Sequence, residues 1–524
     1  MAVARMRHSF VRIAFCSLLF GVVSCAQTPA QSAASFDALV DDVVQRYRLP
    51  GLAIGVIEDG EVVYTRTIGE VVAGSGEKVD ADTLFKIASN GKAMTTGVLA
   101  RLVDAGKLDW NDPVTKHLPQ FRMYDPWVTQ NLQVRDLLIH NSGLREGAGD
   151  LMFWPEPTLF TRADIIAALA HLKPLHSFRS RYDYDNLMYV VAGEVAAAAG
   201  GASYETLVQR ELFAPLGMTR CRVGGFDRES VGNVAQPHMR QYDGNVVIRA
   251  DEKIVPVIPS AAAGGIRCSL NDMLAWMQLW LDPDLKSRDG KPWLSQAQRT
   301  ALWSAHTPMP ISKRQRDWDG SRFNAYGYGW RLSDVDGVWR VAHTGTLAGM
   351  FSAVNLFPEK NGGFVFMING DGADARAVLN SALAKHFTAP DNAKPASWYA
   401  QAIEAERAGK PAEKRAPDTS SRRLALARNM TQQLGVYRDP WFGEVTVCAA
   451  GEEVRFASAR STQLHGRLMQ VGERVLVDWD EESVDVEPWL HFAGASLTLS
   501  KVDPDADFSY DYEDLAFTRV AACP

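Results

Sequence analysis

Ser89-Asn90-Gly91-Lys92, continued by Ala93-Met94-Thr95-Thr96-Gly97-Val98-Leu99-Ala100-Arg101-Leu102-Val103, sets a serine three residues before a lysine at the start of an apolar helix. At helical spacing the two side chains share a face, so the amine reaches the hydroxyl. Ser89 then occupies the first turn, where free backbone amides and the helix dipole favour developing negative charge. The setting suits acyl transfer, yet on its own it reads first as a helix N-cap. Ser75-Gly76-Glu77-Lys78 repeats the spacing in a polar, glycine-bearing loop with no apolar run behind it, and is discounted.

Two further elements shift the balance. Tyr184-Asp185-Asn186 is the only Tyr-x-Asn in the chain and precedes an apolar helix from Leu187 to Ala198. His343-Thr344-Gly345 is the only Lys/His-Thr-Gly; it ends a strand, Val338 to Ala342, expected to pair with Phe351 to Phe357. In this order the three motifs resemble those of the penicillin-recognising serine hydrolases, in the branch of class C β-lactamases and D-alanyl-D-alanine carboxypeptidases. Further blocks carry the resemblance over roughly residues 35 to 387. They include Phe85 to Ser89, Leu102 to Leu108, Val134 to Leu144 and Ala263-Gly264-Gly265-Ile266.

The resemblance implies a role for each residue. Ser89 is the expected nucleophile, and Lys92 its base or fixed positive charge. The Tyr184 phenol is expected to share in proton transfer, taking a proton from Ser89 and returning it to the leaving group. Asn186 is expected to offer its amide to a substrate carbonyl; capping the following helix is its bland alternative. His343 stands where most class C β-lactamases carry lysine, and a partly charged imidazole binds a substrate carboxylate less reliably. Thr344 and Gly345 line the substrate strand, and Thr346 supplies one oxyanion amide, Ser89 the other. His140 and Asn141 read as structural.

The chain has 524 residues, 46% hydrophobic and 22% charged, enough for more than one domain. Its net charge of -7, without a long basic run, leaves no footprint for nucleic acid. Arg5, Arg7, His8 and Arg12 precede an apolar stretch from Ile13 to Val23, a bacterial secretory signal by its length and flanks. Val22-Val23-Ser24-Cys25 resembles a lipobox, which implies lipidation at Cys25 and a periplasmic, membrane-tethered protein. Ordinary cleavage after Ala26, leaving a soluble protein, is the alternative. Cys221, Cys268, Cys448 and Cys523 remain, with three possible pairings or none; Cys448 and Cys523 share the last segment. No histidine or cysteine pattern has metal-ligand spacing, and no metal or cofactor is implied.

The fold class expected is α+β, an antiparallel sheet flanked by helices plus a helical lobe, followed by a small all-β, barrel-like domain. Residues 1–25 read as signal, 26–390 as the hydrolase domain, 391–428 as a linker and 429–524 as the β domain, whose closing Asp507 to Leu515 resembles a lipocalin-like module. Asp59-Gly60 marks a hairpin between Leu52–Glu58 and Glu61–Thr67, and strands return near Tyr326 to Leu332, Val338 to Ala342, Phe351 to Phe357 and Gly363 to Ile368.

The function expected is a serine hydrolase that forms an acyl-enzyme with an amide, peptide, β-lactam or ester carbonyl. The alternatives are an esterase of the same fold, a non-hydrolytic penicillin- or peptidoglycan-binding protein, and a silent scaffold. A small molecule or peptide is the expected partner. A Ser-His-Asp hydrolase is disfavoured because no G-x-S-x-G elbow occurs.

Overall fold

The computed structural model describes residues 29–242, 244–284, 286–288, 290–411 and 415–524. The signal-like stretch and Cys25 lie outside the described residues. The N-terminal hairpin forms as its turn residues dictate. β1 (Gly51–Glu58) and β2 (Glu61–Gly69) pair antiparallel across Asp59 and Gly60, whose φ values of +50° and +83° give the turn that matches strand twist.

Six more strands complete the main sheet: β3 (Thr307–Pro308), β4 (Asn324–Tyr326), β5 (Arg331–Val335), β6 (Val338–Leu347), β7 (Met350–Phe357) and β8 (Gly362–Ile368). Their order is β2-β1-β8-β7-β6-β5-β4-β3, and every adjacent pair is antiparallel. Two details differ from the sequence reading. The run from Tyr326 to Leu332 is two strands, because Gly329, at φ +74°, turns the chain back on itself. β6 does not stop at Ala342; it carries His343-Thr344-Gly345 within it and runs on to Leu347.

Five helices set the layers: α1 (Pro29–Tyr47), α2 (Gly91–Asp104), α3 (Leu187–Gly200), α4 (Leu270–Leu281) and α5 (Ala373–Thr388). β1 is apolar on both faces, as a strand covered by helices on both sides must be. Leu52, Ile54 and Val56 pack with Phe364 and Phe366 against Val40 and Val43 of α1 and Val378 and Leu379 of α5. Ala53 and Ile57 face the lobe with Val98 of α2, Val191 of α3 and Met273 of α4. Each such buried Val, Ile or Phe contributes about 1.5–3 kcal/mol, so the sheet is held rigidly from both sides. A further helix, Ala396–Ala408, buries Ala396, Tyr399 and Ile403 in the first of these layers.

The C-terminal strands form a closed barrel. Gly435–Asp439, Gly443–Ala450, Glu453–Ser458 and His465–Val471 follow one another around it, and Arg474–Trp479 pairs with His465–Val471 to shut the ring, whose remaining strands are Pro488–Ala493, Ser496–Lys501 and Ala516–Ala521. Closure removes the free edges that a small sheet would expose. Tyr437, Val447, Phe456, Leu468 and Leu497 belong to its packed interior. Of the three cysteine pairings, the structure takes Cys221–Cys268 and Cys448–Cys523. No helix among the described residues is long and apolar enough to cross a membrane.

Candidate active site

The turn Ala88–Asn90 leads directly into α2. Ala88 sits at φ +49°, a left-handed conformation that costs free energy for a residue with a Cβ and is kept only where the surroundings enforce it. Lys92, fully buried, donates to Ser89 Oγ at 3.1 Å, to Asn186 Oδ1 at 2.7 Å and to the Ala263 carbonyl at 2.7 Å. Burial pulls its amine down to about 7; Asp150 opposes that, Arg331 adds to it and Asp185 opposes it again.

Tyr184 lies on the same amine, its ring centroid 4.9 Å from Lys92 Nζ. Burial raises the phenol well above its ordinary value, while Arg331 and a hydrogen bond with Ser89 pull the other way. The phenol therefore stays protonated near neutral pH. Asp185 is buried beneath, accepting from the Ser142 hydroxyl at 2.7 Å and from the Met188 N–H at 3.3 Å. It takes over the first turn of α3, and Asn186 makes no cap hydrogen bond. The Asn186 amide is free to bridge instead, its oxygen on Lys92 and its nitrogen donating to Asp150 Oδ2 at 2.8 Å. His140 supports this segment: Nδ1 accepts from the Asp185 N–H at 3.0 Å, and the ring lies 4.2 Å from that of Tyr184. The discounted Ser75 and Lys78 bond elsewhere, to the Val72 carbonyl and to Glu70.

β6 runs against the serine turn. A Cβ at Gly345 would lie 2.1 Å from the Ile87 carbonyl oxygen, so only glycine permits this approach. Ser352 on β7 donates to the same carbonyl at 2.8 Å and pins the turn to the sheet. His343 differs from expectation in its surroundings. It is buried, its Nε2 lies 2.8 Å from the Tyr326 hydroxyl and its Nδ1 2.8 Å from the Thr344 carbonyl. Burial, with Arg331 and Lys92 nearby, depresses its pKa well below the ordinary value, so it carries no charge at neutral pH.

Positive charge at this strand comes from two residues that the motifs do not contain. Arg331 on β5 donates to Thr344 Oγ1 at 3.2 Å. Arg376 on α5 donates to the Gly345 carbonyl and to Thr346 Oγ1, each at 2.6 Å. Burial and the neighbouring Arg331 bring Arg376 down to about 10. Among the described residues neither guanidinium is ion-paired. An arginine inside the otherwise apolar run Tyr326 to Leu332 was the one sequence signal available for Arg331; Arg376 and Asp150 had none.

A strained serine turn, a buried amine and a phenol beside β6 bring together the groups that a serine hydrolase requires. A family model described as Beta-lactamase matches residues 36–387, more than half the chain, and the protein belongs to that family. The unguisins hydrolase ungD' of Aspergillus campestris is 26% identical over 402 residues, covering 73% of this chain and 71% of that protein. The D-alanyl-D-alanine-carboxypeptidase/endopeptidase AmpH of Escherichia coli K12 is 26% identical over 365 residues, covering 67% and 90%. Among solved structures, the octameric penicillin-binding protein homologue from Pyrococcus abyssi matches at a TM-score of 0.53 and 19% identity, over 93% of this chain and 99% of that one. A class C beta-lactamase matches at a TM-score of 0.53 and 19% identity, over 66% and 94%. These structural likenesses bear on the fold.

Proposed function

We propose that Ser89, Lys92 and Tyr184 are the catalytic residues of an acyl-enzyme hydrolase whose substrates present an amide, peptide or β-lactam carbonyl beside a free carboxylate. The observation that carries this reading is the coordination of Lys92. In its neutral form the amine has two N–H groups, matched to the two shorter bonds with Asn186 and Ala263, and the lone pair is left for the Ser89 hydroxyl. Lys92 takes the Ser89 proton as Oγ bonds to the carbonyl carbon, and the oxyanion is held by the N–H groups of Ser89 and Thr346. Tyr184 gives its proton to the departing nitrogen and is reprotonated from Lys92. Water then adds to the acyl carbon by the reverse relay, releasing the acid and restoring Ser89.

Arg331 and Arg376 support the carboxylate preference. Two half-buried guanidiniums without acidic partners repel each other, and an anion lying along Thr344 and Thr346 relieves that repulsion. Together they take the part that a lysine would play at position 343. A hydrolysis panel tests the reading: a D-alanyl-D-alanine peptide, nitrocefin, D-amino-acid anilides and short-chain nitrophenyl esters. Turnover of the carboxylate-bearing members that is lost in Ser89→Ala is expected; turnover surviving in Ser89→Ala would reject the nucleophile.

We further propose that residues 1–25 direct export to a periplasm, with Cys25 the lipidated first residue of the mature chain, and that 26–390, 391–428 and 429–524 are hydrolase domain, linker and β domain. Two disulfides suit an oxidising compartment. Palmitate labelling that disappears in Cys25→Ala is expected, and an unlabelled parent protein would reject the anchor.

A further inference from the structure

The barrel reaches into the candidate site through the arm between strands Ser496–Lys501 and Ala516–Ala521. Phe508 meets Tyr184 edge to face at a centroid distance of 5.8 Å. Its backbone presses on Gly147, where a Cβ would lie 2.5 Å from the Phe508 carbonyl oxygen, and the Gly147 N–H donates to the Tyr184 carbonyl at 2.9 Å. Three residues along the arm, the Asp511 carboxyl is fully buried and accepts from the Gly149 N–H at 2.5 Å and the Leu151 N–H at 3.0 Å. Arg145 donates to Asp514 at 3.0 Å and ties the same loop to the same arm.

Between the two amides that Asp511 holds stands Asp150, itself fully buried, and its carboxyl receives the Asn186 amide nitrogen. The arm also supplies Ser509, whose hydroxyl lowers the proton affinity of that carboxyl against the effect of burial. The orientation of an asparagine amide is set by its neighbours, because its two ends differ only in donor and acceptor. A carboxylate that accepts from the nitrogen forces the oxygen the other way, onto Lys92. If the amide reversed, its NH2 would face the amine's own hydrogens and the lone pair of Lys92 would lose its direction towards Ser89.

We propose that Asp511 and Asp150 are positioning residues for Lys92: the barrel carboxyl holds the Gly149–Leu151 turn, and Asp150 in that turn fixes the Asn186 amide with its oxygen on the lysine amine. The barrel is thereby the outermost layer of the active site and not a separate binding module. The inference rests on Lys92 being the base for Ser89. The groups facing Lys92 are Ser89 on its own segment, Tyr184 and Asp185 before α3, Asn186 and Tyr189 at its start, Asp150 on the loop, His140, Arg331 on β5 and His343 on β6. Asp150 in its ionised form raises the amine's proton affinity, while burial and the neighbouring Asp511 push its own carboxyl well above the ordinary value.

The test is the rate of covalent labelling of the full-length chain by a fluorophosphonate across pH, with melting temperature as a control, in wild type, Ser89→Ala, Asp511→Ala and Asp150→Asn. In Asp511→Ala the maximal labelling rate is expected to fall about ten- to a hundredfold with the apparent reagent affinity unchanged, as for a misdirected catalytic group. In the isosteric Asp150→Asn the maximal rate falls with the apparent reagent affinity unchanged; this variant decides the matter if Asp511→Ala fails to fold. Wild-type rates in a folded Asp150→Asn would overturn the inference alone. Wild-type chain left unlabelled, or labelling that persists in Ser89→Ala, would overturn it together with the reading of the site.

Discussion

Lys92 Nζ lies 3.1 Å from Ser89 Oγ and is anchored more tightly elsewhere, at 2.7 Å to both Asn186 Oδ1 and the Ala263 carbonyl. A buried amine so tethered has a fixed direction towards the hydroxyl, and the proposed role as base has kinetic consequences.

The first concerns pH. Burial lowers Lys92 from 10.5 to about 7, so its neutral, proton-accepting form grows as pH rises through that value. Acylation is expected to climb with pH to a plateau above about 8, roughly one unit past the midpoint. Lys92→Arg, which cannot lose its proton, is expected to show no such limb and a rate lower by at least about a hundredfold. Single-turnover acylation from pH 5 to 9 measures both.

The second separates chemistry from packing at Tyr184. The phenol is buried and stays protonated, which suits it to protonate a leaving group. Tyr184→Phe keeps the ring contacts with His140 and Phe508 and removes one oxygen. Turnover of an amide is expected to fall about a hundred- to ten-thousandfold with little change in KM. An activated nitrophenyl ester, whose leaving group needs no proton, is expected to suffer far less.

The third tests the substrate strand. Arg331→Met leaves Arg376 in place and removes one of the two cations at β6 that have no ion pair among the described residues. A hydrogen bond to a charged group is worth about 1.5–3 kcal/mol, so kcat/KM for a carboxylate-bearing substrate is expected to drop by about ten- to a hundredfold. Neutral esters are expected to be hydrolysed as before. His343→Ala, in contrast, removes the partner of the Tyr326 hydroxyl and is expected to lower the melting temperature.

The fourth concerns the barrel. Cys448–Cys523 links its second strand to the tail beyond its last strand across a separation of 75 residues. Replacing both cysteines by serine is expected to cost about 2–4 kcal/mol of barrel stability. Denaturant unfolding followed with and without reductant measures this, and activity is expected to be lost with the barrel transition.

Much of this architecture was legible in the chain. A short turn code, Asp59-Gly60, set the first hairpin, and two nearly continuous apolar strands set the sheet, because such signals are local and carry their own period. Ser89, Lys92, Tyr184 and Asn186 converge because each motif has fixed internal spacing. Asp150, Asp511 and Arg376 were invisible for the opposite reason. Each takes its meaning from a partner far away in sequence, on a loop or helix face with no period to betray it. The neutral, inward-facing His343 was hidden likewise, since a histidine's charge depends on burial that its neighbours in sequence do not set. The split between β4 and β5 turned on one glycine, Gly329, within an otherwise unbroken strand-like run.

β1 finds one neighbour immediately, in β2, and the other only in β8, at the far end of the match to the family. A ribosome therefore releases β1 long before its second partner exists. Until residue 368 emerges, Leu52, Ile54 and Val56 have no Phe364 or Phe366 to meet. The nascent chain stays unfinished for most of its synthesis, and truncation between β2 and residue 368 strands an open, aggregation-prone edge.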